Sequence, residues 1–188
     1  MILYPKRWVS SKLQGSFISR ENGFKIKHLL IILIIILISL FFPWELGGEA
    51  WIYWFWARVF KETGHFIILD RSPLYIIYLN LFTWMQYPLS VIAERIVTSF
   101  IGIVSMTALF KQYVKIHWAI FASLIWLPFL QTADPPVQFL GLSCTCLAMT
   151  IRITRKGRFW NALFYTLLII SYLFRPSYLI ILITFVVW

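Results

Sequence analysis

Seven apolar runs, Leu29–Trp44, Pro73–Gln86, Leu89–Phe110, Ile116–Gln131, Pro136–Ile151, Phe159–Phe174 and Ser177–Trp188, occupy most of this chain. They leave little from which a soluble domain could build a polar surface. Hydrophobic residues make up 61% and charged residues 13%, against roughly 45–50% and about 25% in soluble domains. A mean hydropathy of +0.80 points the same way. The expected fold class is an all-α integral membrane protein, a polytopic helical bundle.

The formal net charge of +10 would suggest a nucleic-acid partner in a soluble chain. Here Lys and Arg cluster in short segments between the apolar runs, where the positive-inside rule accounts for them, so no nucleic acid is expected. Cys144 and Cys146 sit one residue apart inside an apolar run, matching neither a CxxC redox pair nor a zinc pattern. They read as small packing residues. Residues 1–28 carry Lys6, Arg7, Lys12, Arg20, Lys25 and Lys27 against the single acid Glu21, which reads as a cytoplasmic basic tail. The run after it starts late and leads to no small-residue cleavage site, so it reads as a retained signal anchor.

Orientation turns on Pro73–Gln86. If that run crosses the membrane, the Lys111/Lys115 loop and the Arg152, Arg155, Lys156, Arg158 cluster fall outside. If it does not, every basic cluster is cytoplasmic and every loop acid external. At ~14 residues the run is in the range of interfacial rather than spanning segments. The second topology is therefore expected, with an external segment 45–88 carrying two interfacial helices. The first, Glu49–Glu62, is crowded with Trp51, Tyr53, Trp54, Phe55 and Trp56, whose rings favour the headgroup level. Gly64 suits its C-cap, and Pro73 suits the first turn of the second helix. Five complete spans and a sixth partial one follow from the runs. Because Ser177–Trp188 is too short to span comfortably, the chain reads as a fragment or module of something longer.

On this topology Glu45, Glu49, Glu62, Asp70, Glu94 and Asp134, six of the seven acids, share the outer side. Glu49, just after the first span, is either a general base toward a hydroxyl or an acid complementing a helix N-terminus. Asp70-Arg71 stands at the mouth of the second interfacial helix, and Arg71 either grips a phosphate or forms an exposed pair. Asp134-Pro135 marks an outer turn, and Arg175-Pro176 ends a later span on the same side. Arg175 there suits an anion, or snorkels. Glu94-Arg95 falls about two turns into the Leu89–Phe110 span and is expected to face the helical interior, with Arg95 clamping the external segment or meeting substrate. His65 and His117 have no partner at metal-ligand spacing.

Taken in order, these segments resemble the N-terminal half of GT-C-type membrane glycosyltransferases, the group that contains lipid A aminoarabinose transferases and protein O-mannosyltransferases. The similarity covers about residues 29–188 and rests on Gly48-Glu49 opening an aromatic amphipathic helix that runs through Ala57-Arg58 to Gly64. Asp70-Arg71-Ser72-Pro73-Leu74-Tyr75, Ala93-Glu94-Arg95, Asp134-Pro135 and Arg175-Pro176 follow in the family's order. The resemblance implies transfer of a sugar from a polyprenyl-phosphate donor to a hydroxyl of a lipid, glycan or protein acceptor at the outer membrane surface. It implies Glu49, Asp134 and Asp70 as catalytic carboxylates and Arg71, Arg175 and Arg95 as substrate-binding residues. A divalent metal ion is a further candidate ligand of the carboxylates. The chain departs from the family at Gly48, where the family places its catalytic acid. That departure keeps open a second class, a non-catalytic polytopic protein such as a transporter subunit or scaffold.

Overall fold

The computed structural model describes residues 25–40, 48–65, 72–128, 137–175 and 183, with Gly48 and Glu49 described in their backbone alone. Among the described residues the chain is all-helical. It contains α1 (Ile26–Ser39), α2 (Gly48–Thr63), α3 (Pro73–Asn80), α4 (Leu89–Phe110), α5 (Ile116–Leu124), α6 (Val137–Thr154) and α7 (Arg158–Phe174). Two of these, α4 with 22 residues and α6 with 18, are long and apolar enough to cross a membrane. The other apolar helices are shorter, α1 with 14 residues and α7 with 17, against the ~20 that span a hydrocarbon core.

Local chemistry sets most boundaries. α2 stops where Gly64 turns left-handed at φ +70° and its N–H bonds the Phe60 carbonyl at 2.8 Å, the closure that glycine performs without strain. α3 starts on Ser72, whose side chain accepts from Tyr75 N, with Pro73 in the first turn. The Pro73–Gln86 run is not one helix, however. α3 ends after eight residues at Asn80, where Thr83 Oγ1 donates to both the Asn80 carbonyl and its side-chain oxygen at 2.9 and 3.0 Å. Those bonds favour a turn over another helical winding. Eight residues rise only ~12 Å, so α3 lacks the length to span. α1 begins three residues before the apolar run, because His28 Nδ1 accepts from Lys25 N at 3.1 Å and caps it. α5 gives way to a turn at Ile125-Trp126, after which Leu127-Pro128 are helical again within the expected Ile116–Gln131 run.

The packing has two ends of opposite character. Val91 packs with Val137 and Leu140 in one core cluster, while Ile103 and Met106 pack with Cys146 in the next, so α4 and α6 run parallel. α7 returns antiparallel to α6. Ser171 Oγ donates to the Gly141 carbonyl at 2.7 Å and contacts Thr145 Oγ1 at 2.8 Å, and Arg152 meets Asn161 at 3.1 Å near the connecting turn. Gly141 and Ser171 allow this close approach because they are small. At α1, the His28 ring lies edge-on to His117, 6.1 Å between centroids. The turns bearing Lys25/Lys27, Lys111/Lys115 and Arg152–Arg158 therefore gather at one end. α3 and the starts of α4 and α6 gather at the other, with the end of α7.

Some buried hydroxyls are met within their own helix. Ser143 Oγ donates to the Phe139 carbonyl at 2.6 Å and Ser123 Oγ to that of Ala119 at 2.8 Å, the back-bonding that satisfies a hydroxyl without water. Cys146 is buried and Cys144 half-buried, both as free thiols.

Candidate functional site

Ser72 is the joint of the end opposite the basic turns. It is 8% exposed, and its hydroxyl does two things. It accepts from Tyr75 N at 3.2 Å, capping α3. It also donates to the Leu173 carbonyl at 2.9 Å, 101 residues away in sequence. Leu173 lies in the last turn of α7, where helix carbonyls have no partner in their own helix. One side chain thus closes the start of α3 and the end of α7 together. The Tyr53 hydroxyl of α2 accepts from Ser72 N at 3.5 Å, and the Tyr53 ring stands edge-on to Tyr75, 5.0 Å between centroids. Tyr53, Trp54, Tyr75, Val91, Leu140 and Phe174 belong to one apolar cluster that locks five helices around this joint.

Beneath it lies a polar chain running from α3 into α4. Glu94 is 1% exposed. Thr98 Oγ1, one turn on, donates to Glu94 Oε1 at 2.7 Å, which leaves the Tyr78 hydroxyl as donor in its 2.9 Å contact with Thr98 Oγ1. The Tyr75 hydroxyl donates to the same Oε1 at 3.5 Å. Burial, and after it the Glu94 carboxylate, pushes the Tyr75 phenol well above its ordinary range and raises that of Tyr78. Both therefore stay protonated and serve as donors. Arg95, 2% exposed, ion-pairs with Glu94 through Nε and Oε2 at 3.7 Å. The hydrogen bonds that tie α3 to α4 come from Glu94 and Thr98. Sequence reasoning passed over Tyr75, Tyr78 and Thr98 as site residues. The i,i+4 spacing of Glu94 and Thr98 and the i,i+3 spacing of the tyrosines were the available signals.

The expected site residues fall unevenly. Glu49 lies in the first turn of α2 by its backbone. Asp70, Arg71 and Asp134 lie outside the described residues, as does Glu45. Arg175 is half-buried directly after α7 in extended backbone, and its N–H bonds the Ser171 carbonyl at 3.1 Å. It stands two residues beyond the carbonyl that Ser72 holds, and Ser72 follows Arg71 in the chain. Among the described residues no three His, Cys, Asp or Glu side chains group to hold a metal ion.

The fold and this end define a helical chain with a basic face at one end and a tied polar joint at the other. No family model matches the chain, and neither a curated protein nor a solved structure matches it significantly.

Proposed function

We propose that this chain is a multi-pass membrane protein of GT-C kind, its basic end cytoplasmic and its Ser72 end at the outer surface. Its role is to pass a sugar from a polyprenyl-phosphate donor to an acceptor hydroxyl. The observation that carries the reading is the Ser72–Leu173 hydrogen bond. It draws together the chain neighbours of Arg71 and Arg175, two arginines that are 104 positions apart by number and would otherwise have no reason to act on one ligand. Two guanidinium groups at one site suit the phosphate left behind when the sugar departs, and a carboxylate from Glu49, Asp70 or Asp134 would take the proton of the acceptor hydroxyl. The gathering of basic turns at the opposite end supports the orientation through the positive-inside rule.

The test is donor binding by the full chain in lipid nanodiscs. A hydrogen bond to a charged group is worth about 1.5–3 kcal/mol, so Arg175→Ala is expected to weaken binding of a polyprenyl phosphate about tenfold or more. Unchanged binding in both Arg71→Ala and Arg175→Ala removes the pair from the site. For turnover, Glu49→Gln is expected to slow sugar transfer by about 10²–10⁴-fold with donor binding intact. Gly48, standing where the family places an acid, favours the scaffold as second reading. That reading takes over if membranes carrying the chain transfer no sugar from any polyprenyl-phosphate donor.

A further inference from the structure

The end that carries the basic turns holds a buried imidazole at a helix start. His28 is the third residue of α1 and is 4% exposed. Its Nδ1 accepts from Lys25 N at 3.1 Å, the same reach back to the N-cap that a Glu or Gln makes from this position in a capping box. A ring nitrogen accepts only when it carries no proton. The cap therefore exists only while His28 is neutral, with its proton on Nε2.

The groups around the ring oppose a charge on it. On its own element these are Lys25 and Lys27. On α5 it is His117, whose ring lies edge-on at 6.1 Å, with Lys115 at the N-cap two positions earlier. α4 brings Lys111 to the same end. The first turn of α1 contains no acid, and a cation there runs against the helix macrodipole. Burial first, then Lys27, His117 and Lys25, hold the imidazole below the ordinary histidine range. His28 precedes the apolar run Leu29–Trp44 and so lies outside the span read from it. Further along α1 the packing is apolar. Ile32 and Ile36, both fully buried, share a core cluster with Ile103 and Met106 of α4 and Ile116 and Ile120 of α5.

We propose that His28 is a pH-sensitive latch, which caps α1 and seats its first turn beside His117 while neutral and releases that turn when protonated. A proton on Nδ1 turns the acceptor into a donor that faces the Lys25 N–H. Ile32 and Ile36 keep the rest of α1 docked, since their contacts carry no titratable group. Because the folded ring is harder to protonate than a free one, the latch contributes its full stability above the ordinary histidine value of about 6.5. That stability is lost as the pH falls through the lower, folded value. The turn released is the one that joins α1 to the basic segment 1–24. The latch depends neither on glycosyl transfer nor on which side of a membrane this end faces.

NMR of the full chain in detergent micelles tests it, with ¹⁵N-histidine reporting the tautomer and amide hydrogen exchange, corrected for the intrinsic effect of pH, reporting the first turn. At about pH 7.5 His28 is expected to show a bare Nδ1 and a protonated Nε2. From there to about pH 4.5, a range that brackets the ordinary histidine value, protection of residues 25–31 is expected to fall about fivefold, as for a lost cap. Protection of residues 33–38 is expected to hold. His28→Gln, which keeps a capping-box acceptor that does not titrate, is expected to lose this pH dependence. His117→Phe, which keeps a ring and removes the second imidazole, is expected to retain it. A protonated Nδ1 at neutral pH, first-turn protection that survives the charging of His28, or a pH dependence that persists in His28→Gln or vanishes in His117→Phe overturns the proposal. Should His28→Gln fail to fold, the tautomer and the exchange of the wild-type chain decide between the same two results.

Discussion

Ser72→Ala is the substitution that most directly probes how this fold is tied. The variant loses the α3 cap, since the Tyr75 N–H at 3.2 Å no longer has its acceptor. Capping residues contribute about 1 kcal/mol. It also loses the 2.9 Å bond to the Leu173 carbonyl, worth about 1 kcal/mol net for a typical hydrogen bond. Ser72 is buried, so water does not readily replace either partner. The loss expected is therefore about 2 kcal/mol. The assay is reversible unfolding in mixed micelles with rising dodecyl sulfate, followed by circular dichroism. A Ser72→Ala variant within about 0.5 kcal/mol of wild type, the range of an ordinary surface change, refutes the role given to this joint.

Three further outcomes are expected. Glu94→Ala removes the acceptor of Thr98 and Tyr75 and the ion-pair partner of Arg95, and breaking such a buried pair costs about 3–5 kcal/mol; Glu94→Gln, which keeps an acceptor for the two hydroxyls but also removes the ion pair, is expected to recover only the hydrogen-bond share, about 1 kcal/mol, in the same unfolding assay. Gly64→Ala places a side chain at φ +70° with open space around it, so the cost is backbone strain alone, about 1 kcal/mol, read as a shift in the unfolding midpoint. In a background lacking Cys144 and Cys146, a cysteine at Glu62 is expected to react with an impermeant maleimide in intact cells and one at Lys156 only after permeabilisation; the reverse pattern inverts the proposed orientation.

Much of the fold was legible in the residues because the chemistry that sets it is local. The helical ends at Gly64, Ser72-Pro73 and Phe174 follow from a left-handed glycine, a hydroxyl cap and the close of an apolar run, each decided within a few positions of the chain. The alternation of basic turns and apolar runs was likewise visible, and the packing then collected those turns at one end. The break of Pro73–Gln86 at Asn80 was less visible, since the Thr83 side chain that closes it competes with an apolar pattern favouring a longer helix.

What the sequence by itself determined is the kind of element and its polarity: all-helical runs, aromatic residues crowded on α2, and carboxylates and arginines beside the first and last turns of helices. Tertiary structure alone decided which of those groups meet. Ser72 finds Leu173 across 101 residues, and Tyr78 reaches Glu94 through Thr98. Arg58 comes to border a slot closed by Tyr87 and Ser90. The physical reason is that periodicity and capping are properties of neighbours along the chain. The pairing of helix faces depends instead on how small residues such as Gly141 and Ser171 let helices approach, and no single segment carries that information.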